Sequence, residues 1–157
     1  MPNAMISLED YSFQPIIFDN FIFNLKIEML GNFQQSYLRI ELAANADTIR
    51  ESLLHSDLLK KWMWFQRFES ELPKKLYPGL TFTSWAGLLA IENQVEIAEH
   101  NSLRLLLSQG IDGYHEWCWG DGWVQSKLEG ISILPLNLAQ TLSLLRLRQI
   151  VSQQSDN

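Results

Sequence analysis

The sequence predicts a single α+β domain with a strand-rich middle and a long closing helix. Its 157 residues are 46% hydrophobic and 19% charged, which is the size and composition of one globular domain. Apolar residues alternate with polar ones in several segments, a pattern typical of strands with one buried face. Near residues 45–64 and 136–151 the apolar spacing changes to that of helices.

The first predicted elements are two strands that form an antiparallel hairpin. Residues 1–20 show no clear period, and we expect them to be a loose lead-in to one domain over 21–151, with 152–157 as a polar tail. Alternation predicts a strand at 21–30, and Gly31 and Asn32 indicate a turn. A second strand is predicted at 37–42, where the even-numbered residues are apolar and face the core.

Two short helices are predicted to follow this hairpin. Asn45 or Asp47 can cap the first helix, in which apolar residues recur at helical spacing. Ser56 or Asp57 can cap a second helix over 58–64, whose apolar side includes Trp62. The prolines and the glycine in 66–79 indicate a loop that contains at most a short strand.

The remaining sequence predicts an antiparallel meander and a final helix. Strands are expected at 80–86, 89–99, 102–108, 113–119 and 123–134. Gly120, Asp121 and Gly122 form a tight-hairpin signal between the last two strands. Pro135 ends the last strand, and a helix is expected over 136–151 with its apolar stripe on Leu138, Leu142 and Leu145.

Charge, cysteine and motif content exclude several classes of function. A net charge of −6 disfavours nucleic acid and anionic membrane surfaces, which attract basic patches. Cys118 is the single cysteine, so no internal disulfide can form, and we expect it to be free and buried. We predict no cofactor and no metal site, because His55, His100 and His115 fit no metal-binding spacing. We expect each of these histidines at a turn or on the surface.

We also expect neither a membrane span nor a targeting signal. The most apolar stretch, 131–147, contains a proline and several polar residues, whereas a span needs roughly 20 nearly unbroken apolar residues. Residues 1–10 lack a basic region followed by an apolar run. The predicted location is therefore the cytoplasm.

Two stretches of the sequence resemble a known superfamily. The first runs from the strand at 37–42 through Ala44-Asn-Ala-Asp to Leu58-Leu-Lys-Lys-Trp62. The second contains Gly110-Ile-Asp-Gly-Tyr114, the tryptophans 117 and 119, Leu128-Glu-Gly130 and Leu134-Pro-Leu136. Over about residues 36–150 the chain resembles the START-like or SRPBCC superfamily, which includes the polyketide cyclase-like domains, and within it a small uncharacterised bacterial branch.

The resemblance implies the helix-grip fold, in which a curved antiparallel sheet of about six or seven strands holds the long C-terminal helix and encloses a cavity. It also implies an apolar or aromatic ligand, lipid-like or isoprenoid-like. Only some members of the superfamily catalyse reactions, so we assume binding without catalysis. Residues on the inward faces of the two best-patterned strands and on the helix stripe are the predicted lining: Leu103, Leu105, Leu107, Val124, Ser126, Leu128, Leu138, Leu142 and Leu145.

Two other functions remain open at this stage. If the even face of strand 113–119 points inward, Glu116 becomes a buried carboxylate beside Tyr114, an acid–base pair suited to a cyclase or dehydratase. Alternatively, Trp117, Trp119 and Trp123 form an exposed aromatic patch that docks a partner or builds a homodimer. The simpler interpretation of the three tryptophans is a cross-strand ladder that stabilises the hairpin.

Overall fold

The computed structural model describes residues 31–68 and 71–155. The predicted lead-in at 1–20 and the predicted strand at 21–30 lie outside the described residues, so the front hairpin stays a prediction. Within the described residues, three helices and seven strands follow one another along the chain: β1 (Asn32–Glu41), α1 (Ala46–Leu54), α2 (Ser56–Trp62), β2 (Arg67–Phe68), β3 (Thr81–Ala86), β4 (Leu89–Ala98), β5 (Ser102–Gln109), β6 (Asp112–Gly120), β7 (Trp123–Ser132) and α3 (Leu136–Ser155).

The strands form one antiparallel sheet in the order β1-β7-β6-β5-β4-β3-β2. Strands β3 to β7 make the predicted meander, and their ends lie within two residues of the predicted ends. Asp121 and Gly122 form the predicted tight turn, where Gly122 takes a φ of +79° that suits glycine. Strand β1 begins five residues earlier than expected, at Asn32, because it pairs with β7 over its whole length.

Helices α1 and α2 begin and end at specific hydrogen bonds. Asn45 caps α1 as predicted, since its side-chain oxygen accepts a hydrogen bond of 2.8 Å from the Thr48 amide. The amide of Ala46 donates to the carboxylate of Asp121 at 2.8 Å, which ties the start of α1 to the β6–β7 turn. His55 separates the two helices and is the N-cap residue of α2, with no hydrogen bond from its side chain to the helix. Helix α2 begins at Ser56, two residues earlier than predicted, so the prediction that Ser56 or Asp57 caps it is wrong.

Helix α3 packs on the sheet with a different face from the one predicted. Leu138, Leu142 and Leu145 are 55%, 39% and 55% exposed, so the prediction that this stripe faces inward is wrong. The buried positions include polar as well as apolar residues: Leu136, Gln140, Ser143, Leu144, Leu147, Ile150 and Val151. Leucines occur on both sides of α3, so hydropathy alone does not select the buried face.

Two tryptophans join α2 to the middle of the sheet. The rings of Trp62 and Trp117 lie edge to face with their centroids 5.2 Å apart. The indole nitrogen of Trp62 donates a hydrogen bond of 2.9 Å to the Ser52 carbonyl in α1. Buried indole groups need such a partner, so Trp62 fixes both helices against the core.

We predict that Trp62→Phe lowers the free energy of unfolding by about 1–3 kcal/mol, because it removes this hydrogen bond and leaves a small void. Urea denaturation followed by circular dichroism measures the change. Trp64→Phe is the matched control: Trp64 lies two residues away and is 61% exposed, so its effect should stay within about 0.5 kcal/mol. Equal losses in the two variants would contradict the assigned role of Trp62.

Candidate functional site

A pocket of about 120 Å³ lies between the inner face of the sheet, the first turns of α3 and the segment that follows α2. Its walls are mainly apolar, which is typical of small-molecule sites. The apolar lining residues come from strands β3, β4, β5 and β7, from α3 and from the loops beside these elements: Met63, Phe65, Ala86, Ile91, Leu105, Leu107, Ile111, Leu128, Leu134, Pro135, Leu136 and Ala139. The polar lining residues are Gln66, Asn93, His115, Gln140 and Ser143.

The structure brings three of the predicted lining residues to this pocket, namely Leu105, Leu107 and Leu128. Leu103, Val124 and Ser126 are fully buried on the same inner face, but they pack into the core outside the pocket. The inward faces predicted for β5 and β7 are thus those observed. The three leucines of the predicted α3 stripe lie on the exposed side of that helix and are not part of the lining.

The predicted acid–base pair is on the outer face of the sheet. In β6 the odd-numbered residues point inward, so Glu116 and Tyr114 point away from the pocket. The Tyr114 hydroxyl donates to Glu129 at 3.0 Å, and Glu116 lies 3.8 Å from Arg104. Both faces of β6 mix polar and apolar residues, so alternation could not decide its direction, and the prediction of a buried carboxylate is wrong.

The three tryptophans of the β6–β7 hairpin do not share a surface. Trp117 and Trp119 are buried in the core, whereas Trp123 lies on the other face with the Arg39 guanidinium 4.4 Å above its ring. A two-residue turn pairs Gly120 with Trp123, so residues on one face have odd numbers in β6 and even numbers in β7. Neither the aromatic patch nor the aromatic ladder of three tryptophans exists.

Cys118 lies on the outer face of β6 and is half-buried, so it is less enclosed than predicted. Partial burial, and then the negative charge of Glu116, raise the pKa of its thiol. The thiol therefore stays protonated at neutral pH and is a poor nucleophile. His115 is on the opposite face of the same strand, where it cannot serve as a base for this cysteine.

A polar cluster that the sequence did not predict occupies the wall where α3 crosses the sheet. The Ser126 hydroxyl lies 2.7 Å from His115 Nε2 and accepts a hydrogen bond of 2.8 Å from Gln140 Nε2. Burial lowers the pKa of His115 from 6.5 to about 3, so its imidazole is neutral at physiological pH. We had expected each histidine at a turn or on the surface, and for His115 this expectation is wrong.

Amide groups supply further polar atoms to the pocket. The Asn93 nitrogen donates to Ser84 Oγ at 2.9 Å and to the Ile91 carbonyl at 3.0 Å. The side-chain oxygens of Gln66 and Gln140 are buried and have no hydrogen-bond partner among the described residues. Such atoms are rare in folded proteins, because a buried acceptor without a donor loses its hydration without replacement.

The arrangement is better suited to binding than to catalysis. A histidine with a pKa of about 3 is a weak base at neutral pH, and Ser126 is fully enclosed by protein. The close His115–Ser126 contact is therefore not an accessible nucleophile and its base. Within residues 31–68 and 71–155, no three metal-ligating side chains cluster together.

Solved structures decide which fold this arrangement represents. Protein CV1439 from Chromobacterium violaceum superimposes with a TM-score of 0.60 at 18% identity, over 74% of this chain and 96% of its own. The chain has the helix-grip fold. The Aha1 dimer from Colwellia psychrerythraea gives a TM-score of 0.58 at 15% identity, over 75% of this chain and 96% of its own.

A third helix-grip structure is a point mutant of norcoclaurine synthase from Thalictrum flavum, solved in complex with a transition-state analogue. It matches with a TM-score of 0.56 at 11% identity, over 82% of this chain and 99% of its own. No protein-family model and no curated protein sequence matches this chain. At these identities the similarity establishes the fold and leaves the activity of this helix-grip domain to its own residues.

A helix that crosses a bilayer must be long and predominantly apolar. In the part of the chain that the structure describes, no helix combines the length and the apolar character that crossing a membrane requires.

We predict that His115 makes stability depend on pH. Its pKa is about 3 in the folded state and 6.5 in the unfolded state, so only the unfolded state takes up a proton between these values. Stability therefore falls as the pH drops below about 6.5, by up to about 1.4 kcal/mol per pH unit. Between pH 7 and pH 4.5 the native protein should lose about 2–3 kcal/mol more than His115→Gln does.

Urea denaturation at the two pH values measures this difference. His100→Gln is the control, because His100 is exposed on a turn and bonded to Arg50 at 2.8 Å. It should keep the pH dependence of the native protein. The assignment fails if His115→Gln loses as much stability on acidification as the native protein does.

Proposed function

We propose that this protein binds a small, largely apolar or aromatic molecule between the sheet and α3, without catalysing a reaction. The observation that carries the proposal is an apolar pocket lined by Gln66 and Gln140, whose buried amide oxygens have no hydrogen-bond partner among the described residues. Binding sites use a few polar groups to orient their ligands, and two acceptors without partners at one apolar pocket support this role. We also assign the chain to the START-like superfamily, on its fold and on the motifs quoted above.

The volume of the pocket limits the size of this ligand. Drug-sized ligands occupy pockets of roughly 300–1,000 Å³, and a cavity of about 150 Å³ is known to hold benzene. At about 120 Å³, this pocket fits one ring or a short branched chain. A whole lipid or a long isoprenoid is larger than this volume. Of the apolar and aromatic ligands that the resemblance implies, we therefore expect only the smallest to bind.

The comparisons support binding in general terms. The norcoclaurine synthase structure was solved with a transition-state analogue, so one helix-grip protein holds a small organic molecule. The Aha1 structure is of a dimer, which agrees with the homodimer considered above, but for this chain a dimer stays a prediction. Nothing favours the enzyme or the docking module, because Glu116, Tyr114 and Trp123 lie outside the pocket and Trp119 is buried.

We predict that toluene binds in this pocket and that Ala139→Phe abolishes binding. Ala139 lines the pocket from α3, so a phenyl ring at this position fills the space that a ligand would take. Titration of ¹⁵N-labelled protein with toluene, followed by amide chemical shifts, measures the affinity. Shifts should be concentrated at residues lining the pocket, such as Leu107 and Leu128.

Leu138→Phe is the matched control, because Leu138 is the neighbouring residue on α3 but is 55% exposed on the other side. This variant should bind toluene as the native protein does. Native mass spectrometry of the purified protein adds an independent test, since a small bound molecule should accompany the native chain and be lost in Ala139→Phe. Equal toluene binding by the native protein and Ala139→Phe, or none by the native protein, would overturn the proposal.

A further inference from the structure

Resting on the proposed function, we infer that the ligand is an uncharged, ring-sized molecule carrying a hydroxyl or N–H group that donates a hydrogen bond to Gln140. The geometry that points to it is a pocket lined by Gln140, whose amide oxygen is unpaired, and by no charged side chain of the residues that the structure describes. A phenol is the simplest molecule with these properties.

The lining argues that the ligand is neutral. Among residues 31–68 and 71–155, no Asp, Glu, Lys or Arg contributes to the pocket, and the one titratable side chain that does is His115. Burial keeps this imidazole neutral at physiological pH. A carboxylate or an ammonium group would lose its hydration on entering and find no opposite charge in return, which strongly opposes binding.

The orientation of the Gln140 amide argues that the ligand is a donor. Gln140 is 1% exposed, and its nitrogen lies 2.8 Å from Ser126 Oγ and 3.5 Å from the Ser36 carbonyl. A carbonyl oxygen only accepts hydrogen bonds, so the nitrogen of the amide must be the atom on that side. The oxygen Oε1 is consequently left unpaired, and only a donor can satisfy it.

A second acceptor comes from a different segment of the chain. Gln66, in the turn after α2, also lines the pocket, and its Oε1 is buried without a partner among the described residues. Two unpaired acceptors and no unpaired cation make a pocket that selects donors over acceptors. An aldehyde, ketone or ether of the same size offers neither oxygen a hydrogen bond.

Binding of phenol, toluene and benzoate at pH 7 to the native protein tests the inference, with affinities from amide chemical-shift titrations. Phenol is neutral at this pH, toluene has the same ring without a donor, and benzoate is charged. We expect phenol to bind about 3- to 10-fold more tightly than toluene, the range of one added hydrogen bond. Benzoate should bind at least about 10-fold more weakly than phenol.

Gln140→Met then assigns the preference to Gln140, because methionine is similar in length but has no amide. The variant should bind phenol no better than toluene, while its affinity for toluene stays the same or rises. Gln149→Met is the control, since Gln149 is exposed on the same helix and should leave every affinity unchanged. If Gln140→Met does not fold, Gln140→Leu offers a second apolar replacement, and the ligand series on the native protein still tests the inference.

The possible failures are distinguishable. Equal affinities for phenol and toluene would overturn the inference that the ligand donates a hydrogen bond, but they would leave the proposed function intact. Binding of benzoate as tight as that of phenol would overturn the inference that the ligand is neutral. If Gln140→Met still binds phenol more tightly than toluene, Gln140 is not the residue that accepts the hydrogen bond of the ligand. Absence of binding by all three molecules would instead count against the proposed function itself.

Discussion

The start of α3 is held in place by one side chain, Gln34 of β1. Its nitrogen donates to the carbonyls of Ser132 and Leu134 at 2.9 and 2.8 Å, and its oxygen accepts from the Leu136 amide at 3.0 Å. The first amides of a helix have no partner within the helix, so this bond satisfies one of them while fixing where α3 begins. With the start fixed, Gln140 faces the sheet and Leu138 faces outward.

The same hydrogen bonds explain why polar residues lie on the buried side of α3. The side-chain nitrogen of Asn137 donates a hydrogen bond of 2.9 Å to Ser36 Oγ. About one turn later, the side-chain nitrogen of Gln140 donates to Ser126 Oγ. Each bond joins α3 to β1 or β7 and offsets the desolvation of the groups involved. Polar contacts between strand and helix thus select one helix face among several that are about equally apolar.

Much of the fold could be predicted from local patterns, because strands and turns carry short-range signals. Alternation located the ends of the meander strands, and in β5 and β7 it also identified the buried face. In β6 both faces contain aromatic and polar residues, so only pairing with β7 decides that His115 points inward. In β4 a register shift between Val95 and Ile97 turns Ala98 toward the core, which alternation had not anticipated.

The polar part of the pocket was harder to predict, because its residues come from segments far apart in the sequence. Gln66, Asn93, His115 and Gln140 lie in a turn, two strands and a helix, and nothing in their spacing brings them together. Gln140 in particular lies away from the stripe of Leu138, Leu142 and Leu145 that hydropathy favoured, so its burial could not be predicted. On the buried side of α3, an unpaired amide oxygen destabilises the fold by about 1–3 kcal/mol. Leucine or methionine would fill that position without this penalty. The bond from the Gln140 nitrogen to Ser126 offsets part of this loss. In the proposed complex, a donor group on the ligand would satisfy the Gln140 oxygen as well, so the residue that hydropathy disfavours at this position is the one that orients the ligand.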